Sequence, residues 1–427
     1  MPSFSVVIPT HQRRAVVCDA VRALDSIDYT AAVEVIVIVD GSTDGTAEAL
    51  RAVGCRFPVK IIEQPNAGAA AARNRGAEAA RHDVILFLDD DMMCDPAILR
   101  EHGRLHADGA EAVIGETPID PASGDEFLVE SVRRWIASTK VRSPLSPFDI
   151  FAGQLSVRRS LFEQLGGFDS AFTAKSAFGS EDADLGARLL AGHDVRHNPA
   201  AVSWQRYSVS PRDYVARAER GAVAHVRFMR KHPELARELL ERKGLGRPLT
   251  RWVYLPLSRF PRLARLIARL ATGAAETALR TRFRSSRAVA RFFSGACSLA
   301  YWSALRRSGW LPLSNNVLVL CYHAIRDQAG DPVLAPYGVA PEEFARQLDS
   351  LAARGFTFIT PNQLVEFLRA GAPLPRRPVL LTFDDGYADL IDLARDVLNP
   401  KEIGGIAFIV TGRTANDWDQ DYGAGAI

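Results

Sequence analysis

No two cysteines in this chain form a CxxC pair, and the five present (Cys18, Cys55, Cys94, Cys297 and Cys321) are odd in number and scattered. That excludes a disulfide framework and a thiolate zinc finger, and it fits a reducing compartment. No GxGxxG follows any strand pattern, so the hydride-transfer version of a nucleotide-binding fold lacks its fingerprint. The uncharged stretch Phe292 to Leu305 falls short of the roughly 20 apolar residues that cross a bilayer core. The opening MPSFSVVIPT runs straight into a strand with no basic region or long apolar core before it, so no secretory signal is expected. The expected location is the cytoplasm.

What is present begins with size and charge. A chain of 427 residues with 47% hydrophobic content predicts a globular protein of two or three domains. Its net charge of +2 conceals an asymmetry: Arg242 to Arg307 holds 15 Lys and Arg against the single acid Glu276, and the remainder, with 37 basic and 49 acidic residues, carries −12.

The first part of the chain alternates strands and helices. Ser5 to Pro9, Val33 to Val39, Val59 to Ile62 and Val84 to Leu88 read as strands, and Ala15 to Ser26 reads as a helix. This spacing predicts a doubly wound, mostly parallel sheet. The last of these strands, in VILFLDDD, is apolar throughout and suits burial on both faces, yet it ends in Asp89, Asp90 and Asp91. Carboxylates at the carboxyl end of such a strand stand where ligands bind in open α/β sheets. In an extended backbone Asp89 and Asp91 project to one side and Asp90 to the other. Mutual repulsion would raise their pKa values unless a cation sits among them. Carboxylates completed by substrate phosphates are the usual way to hold Mg²⁺ or Mn²⁺.

Taken together, VIPTHQR, IVDGSTDGT, NAGAAAARNRG and FLDDDM, followed by AGQLSVRRSLFEQLGGFD and GSEDADLGARLLAGHDV, resemble the GT-A domain of inverting family 2 glycosyltransferases over roughly the first half of the chain. The resemblance implies a nucleotide-sugar donor, a glycan or lipid-linked acceptor, and Mn²⁺ or Mg²⁺. It assigns Thr10 and Asp40 to the nucleotide, Asp89 and Asp91 to a DxD pair with Asp91 the direct metal ligand, and Asp182 to the general base. Asp90 and Arg73 join the expected donor site, although Arg73 also suits a solvated helix face. Two departures stand out: Asp40 is a single acid where many relatives have two, and Trp204 and Gln205 occupy the region where many relatives carry a histidine.

After a helical stretch from Tyr214 to Glu241, in which His225 and His232 read as surface residues, the basic segment places Leu263, Leu266, Ile267 and Leu270 on one helix face and Arg262, Arg265 and Arg269 on another. Either this segment lies on an anionic membrane surface, peripheral to the inner face, or it packs on the sheet with its arginines solvated. Nucleic acid is not expected, since no reader module accompanies the charge.

Near the C-terminus, YHAI at Tyr322 and PVLLTFDDG at Pro378 resemble the front of a NodB-type polysaccharide deacetylase. That resemblance makes Asp384 a catalytic base and Asp385 a metal ligand. No histidine follows His323, so the Zn²⁺ site is expected to be incomplete. Strands are expected near Val317, Phe356, Val379 and Ile406, too few to close the family's barrel.

The sequence therefore predicts an α/β protein. Residues 1–207 form a GT-A domain, 208–312 a basic helical segment, and 313–427 a partial (β/α) barrel-like deacetylase. The expected activity is metal-dependent inverting sugar transfer in cell-surface polysaccharide assembly, beside an inactive deacetylase module. The competing classes are a sugar-nucleotide-binding or membrane-scaffolding protein without turnover, and a bifunctional transferase and deacetylase.

Overall fold

The computed structural model describes all residues except 125, 139–143, 174–176, 311–316, 328–334, 371–373, 376 and 412–427, so the closing GAGAI lies outside the described residues. The chain divides into two compact units, Met1–Ser308 and Gly309–Ile427.

The first unit is built on eight strands: β1 (Phe4–Thr10), β2 (Val33–Asp40), β3 (Val59–Gln64), β4 (Val84–Leu88), β5 (Met92–Cys94), β6 (Ala112–Glu116), β7 (Gln154–Arg158) and β8 (Val195–Gln205). They lie in the order β3-β2-β1-β4-β7-β6-β8-β5. Alternation sorts the side chains onto two faces. Val6, Ile8, Val35, Val37, Leu86 and Leu88 enter one hydrophobic layer, and Val7, Ile36, Ile38, Ile85 and Phe87 enter the other. A strand buried on both faces needs an unbroken apolar run, which is why the sequence pattern finds β1, β2 and β4.

The expected mostly parallel sheet needs correction. The β1–β2, β2–β3, β1–β4 and β6–β8 pairings are parallel, but β4–β7, β6–β7 and β5–β8 are antiparallel, so the sheet is mixed. After β6 the chain passes through the helix Phe127–Ser138 and returns as β7, in reverse, between β4 and β6. The five residues of β7, QLSVR, carry no mark of that direction.

The helix Ala69–Glu78 lies close against the sheet. A Cβ at Gly76 would stand 2.3 Å from Val7 Cγ1, so only glycine allows that approach. The helices Pro211–Lys231, Pro261–Leu279 and Arg287–Arg307 belong to this same unit. Ala271, Ala275, Ala290, Phe293, Ala296 and Cys297 share one core cluster with Phe127. The uncharged stretch after Phe292 is thus largely the interior of a helical layer, with Leu299, Ala300, Trp302 and Leu305 buried, rather than a membrane-facing surface. No helix among the described residues is long and apolar enough to cross a membrane.

The second unit is a parallel sheet of β9 (Leu318–Tyr322), β10 (Thr357–Phe358), β11 (Pro378–Phe383) and β12 (Gly405–Ala407), the four places the sequence marks. β11 pairs with each of the other three. Phe344 and Leu348 from the helix Pro341–Ala353 pack on Val379, Leu381 and Phe383. Among the described residues β9 and β12 each pair with β11 alone, and the strands do not close into a barrel.

Candidate active site

Six acids and two arginines gather around the carboxyl ends of β1, β2 and β4. β4 stops where the carboxylates begin, and the next residues turn into β5, which pairs with β8 so that Met92 lies opposite Gln205. Thr10 Oγ1 at the end of β1 donates to Asp90 Oδ2 at 2.7 Å. Arg13, three residues further on, donates through Nη1 to Asp90 and through Nη2 to Asp91 Oδ2 at 3.0 Å. The cation that three adjacent carboxylates require is therefore supplied partly by the protein itself. Burial pushes the Asp90 carboxyl up to about 7 although Arg13 opposes the shift, and burial with the Asp89 charge raises Asp91.

The second arginine joins the acidic strand end to the predicted base. Arg73 Nη2 donates to Asp89 Oδ1 at 2.7 Å and Nη1 to Glu181 Oε1 at 3.0 Å, while Asp182 Oδ1 stands 3.9 Å from Nη1. The Arg73 side chain is only 5% exposed, so the solvated-face reading of it is wrong. The helix Glu181–Leu189 begins one residue before Asp182, after Ser180 turns the chain with φ 76. A non-glycine residue in that region is strained, and such strain collects at functional sites. Burial, and then the Glu181 charge, raise the Asp182 carboxyl well above its ordinary value despite Arg73. Its side chain keeps 21% exposure, while Oδ1 itself is buried and has no hydrogen-bond partner, Arg73 Nη1 standing 3.9 Å away.

Asp40 is placed differently. Its Oδ1 accepts from Ala67 N at 2.8 Å and Gln64 Nε2 at 2.8 Å, and its Oδ2 from Gly68 N at 2.9 Å. The carboxylate therefore anchors the loop between β3 and the helix Ala69–Glu78. Beside it, between the ends of β2 and β3, lies a shallow concavity of about 280 Å³ lined by Val39, Gly41, Ser42, Glu63, Gln64 and Pro65.

Sequence reasoning missed Arg13 and Glu181, and it saw Gln205 only as a departure. Gln205 Nε2 donates to Asp91 Oδ1 at 3.4 Å, so the amide stands against the expected metal ligand. His225 and His232 are not surface residues: His225 Nδ1 lies 2.8 Å from Tyr301 Oη, and His232 Nε2 lies 2.9 Å from the fully buried Asp184. Lys231, His232 and Arg188 hold the Asp184 carboxyl below its usual range although burial opposes them, and they fix the helix that carries Asp182.

In the second unit Asp384 follows β11, and its possible ligand oxygen groups with Cys321 Sγ and a His323 ring nitrogen within 4.8 Å of one another. Asp385 adopts the left-handed region with φ 67. Cys321 in β9 and His323 just after it are two residues apart, a spacing that puts both on one side of an extended chain and that a search for CxxC pairs does not detect.

Residues 5–166 match the family described as Glycosyl transferase family 2. The chain is 31% identical over 272 residues to validoxylamine A glucosyltransferase of Streptomyces hygroscopicus subsp. jinggangensis, covering 56% of this chain and 63% of that protein. It is 26% identical over 299 residues to pre-mycofactocin glycosyltransferase of Mycobacterium tuberculosis, covering 64% of this chain and 60% of that protein. The chain thus spans less than two thirds of the length of these relatives. Among solved structures, a mannosyltransferase from Pyrobaculum calidifontis in complex with GDP-Man and Mn²⁺ superposes with TM-score 0.46 at 21% identity, covering 70% of this chain and 87% of that one.

Proposed function

We propose that the chain is a metal-dependent inverting glycosyltransferase that moves a sugar from a nucleoside-diphosphate donor to a hydroxyl of a glycan or lipid-linked acceptor in cell-surface polysaccharide assembly. One observation carries the reading: Asp89 and the predicted base Asp182 both lie against Arg73, at 2.7 and 3.9 Å, although 93 positions separate them in the chain. A scaffolding protein has no need to set a largely buried carboxyl of raised pKa beside the acidic end of its central strand.

The donor set fits a hard divalent cation, because Asp89 and Asp91 offer carboxylate oxygens and the contact given for Asp91 Oδ1 is the long 3.4 Å approach of the Gln205 amide. Asp91 with Asp89 would hold Mn²⁺ or Mg²⁺, which when bound would neutralise the leaving diphosphate. Asp182 takes the proton of the acceptor hydroxyl as that oxygen attacks the anomeric carbon, and a single displacement inverts the centre. Its raised pKa makes it a stronger base than an ordinary carboxylate. Arg73 positions Asp89 and Asp182. Thr10 and Arg13 orient Asp90 and Asp91, and Asp40 shapes the loop beside the concavity into which the nucleotide base would fit.

Release of nucleoside diphosphate from a panel of UDP-, GDP- and dTDP-sugars with Mn²⁺ tests the assignment. One donor should turn over faster than it hydrolyses alone, and no release from any donor by protein that still binds nucleotide would favour the non-catalytic class.

For the second unit we propose no hydrolase turnover from this chain. With Asp384 serving as base, Cys321 and His323 are what remains of the group that lies within 4.8 Å among the described residues, two ligands where a catalytic zinc usually has three.

A further inference from the structure

The segment Arg242 to Arg307 takes no part in the site described above, and its central helix is turned the opposite way from a helix that packs through its bulky side chains. Pro261–Leu279 buries Ala264, Ala268, Ala271, Ala275 and Ala278 against its neighbours. Leu263, Leu266 and Leu270, at i, i+3 and i+7, face solvent and are 41% to 62% exposed. Just before them Leu249, Trp252 (76% exposed), Val253 and Phe260 are exposed as well. Arg262, Arg265 and Arg269 lie beside the leucine stripe and are themselves exposed. Packing through alanine permits close helix contact, but it leaves the apolar payload of this helix in water, and a contiguous exposed apolar surface marks an interaction site.

We propose that this face docks in the plane of an anionic lipid bilayer. Leucines, Phe260 and Trp252 enter the boundary between headgroups and acyl chains while the flanking guanidinium groups meet lipid phosphates. The charge argues for this occupant. The segment has 15 basic residues and one acid, so a second copy of the same face would set arginines against arginines. Nucleic acid would satisfy the arginines and leave the leucines and Trp252 in water. The contact is peripheral, since no described helix can span. The inference is independent of the transferase reading.

Flotation of the full chain with vesicles of phosphatidylcholine, with and without phosphatidylglycerol, tests it. Wild-type protein should float with the anionic vesicles, release with added salt, and float weakly on the neutral ones. Combined replacement Leu263→Ser, Leu266→Ser and Leu270→Ser, and separately Arg262→Gln, Arg265→Gln and Arg269→Gln, should each lower the bound fraction about tenfold or more. A milder Trp252→Ala variant with an unchanged thermal melt guards against misfolding and should also bind less. Wild type remaining at the bottom of the gradient, or a leucine variant floating as wild type does, overturns the proposal. So does a wild-type dimer that the leucine variant converts to monomer without any vesicle binding, or binding confined to nucleic acid.

Discussion

Arg73 and Asp89 are joined by a 2.7 Å hydrogen bond between a helix that precedes the acidic strand and the residue that follows it. The same guanidinium reaches Glu181 and lies near Asp182, so one buried cation compensates three carboxylates from separate elements.

Removing that cation should be costly. Arg73→Met leaves Asp89, Glu181 and Asp182 facing one another inside the fold, and breaking a buried pair from one side typically costs about 3–5 kcal/mol. Urea denaturation should show a lower midpoint for the variant, with Arg73→Lys falling between. Equal midpoints would mean that water already compensates the acids.

Asp182→Asn should keep donor binding and lose transfer by about two to four orders of magnitude, the usual contribution of a general base. The base works only when deprotonated, and its pKa is raised. The rate in wild type should therefore climb with pH through a limb lying above the ordinary carboxylate range, and initial rates across pH 4–8 would reveal it. Near-normal turnover in the variant would return Asp182 to the bland role of an acid at a helix N-terminus.

Legibility in the sequence followed burial. β1, β2 and β4 are apolar runs buried on both faces, and the three acids break off β4 so sharply that the ligand-binding end could be read directly. Arg13 could not be read this way: it sits in the polar loop HQRR, and its partners lie 77 and 78 positions away. The orientation of Pro261–Leu279 was also hidden, because periodicity groups the large apolar side chains on one face without saying that the neighbouring helices come close enough to prefer alanine. The role of Asp40 as the anchor of a loop depends on backbone N–H groups, which leave no trace in residue identity.

Asp91→Asn should abolish metal-dependent donor binding, because diphosphate and carboxylate would share one cation. Calorimetric titration of UDP with Mn²⁺ measures this. Unchanged affinity would remove Asp91 from the metal site. Arg13→Gln should act in the opposite sense on the metal alone, since it frees Asp91 Oδ2 from a competing cation, and tighter Mn²⁺ binding is the expected result.

The second unit should release no acetate from acetylated chitooligosaccharide with Zn²⁺. Its acids stand at the end of β11, and with Asp384 serving as base Cys321 and His323 are what remains of the group around it among the described residues, one short of the usual zinc set. Steady release by this chain, abolished by Asp384→Asn, would show that Cys321 or another group substitutes.

The last prediction concerns a histidine pair away from the cleft. His102 and His106 lie one turn apart on the helix Ile98–Ala107, and both share Ser156 Oγ of β7 at 2.7 Å. Burial lowers His102 to about 3, and burial lowers His106 to about 4 although its bond to Ala110 O opposes the shift. Both are therefore neutral in the folded protein at every pH above that range, whereas the unfolded chain takes up protons near 6.5. Between these limits the unfolded state binds more protons, so stability rises with pH by about 1.4 kcal/mol per histidine per unit and levels off above 6.5. Urea midpoints measured from pH 5 to pH 7.5 should fall on the acid side. The raised carboxyls of Asp90, Asp91 and Asp182 act in the opposite sense, because there the folded state binds the extra proton, so His106→Gln is the control: it should lower the slope between pH 5 and 6.5 whatever it does to stability at pH 7.5. Parallel curves for variant and wild type would show that His106 titrates in the fold as it does in water.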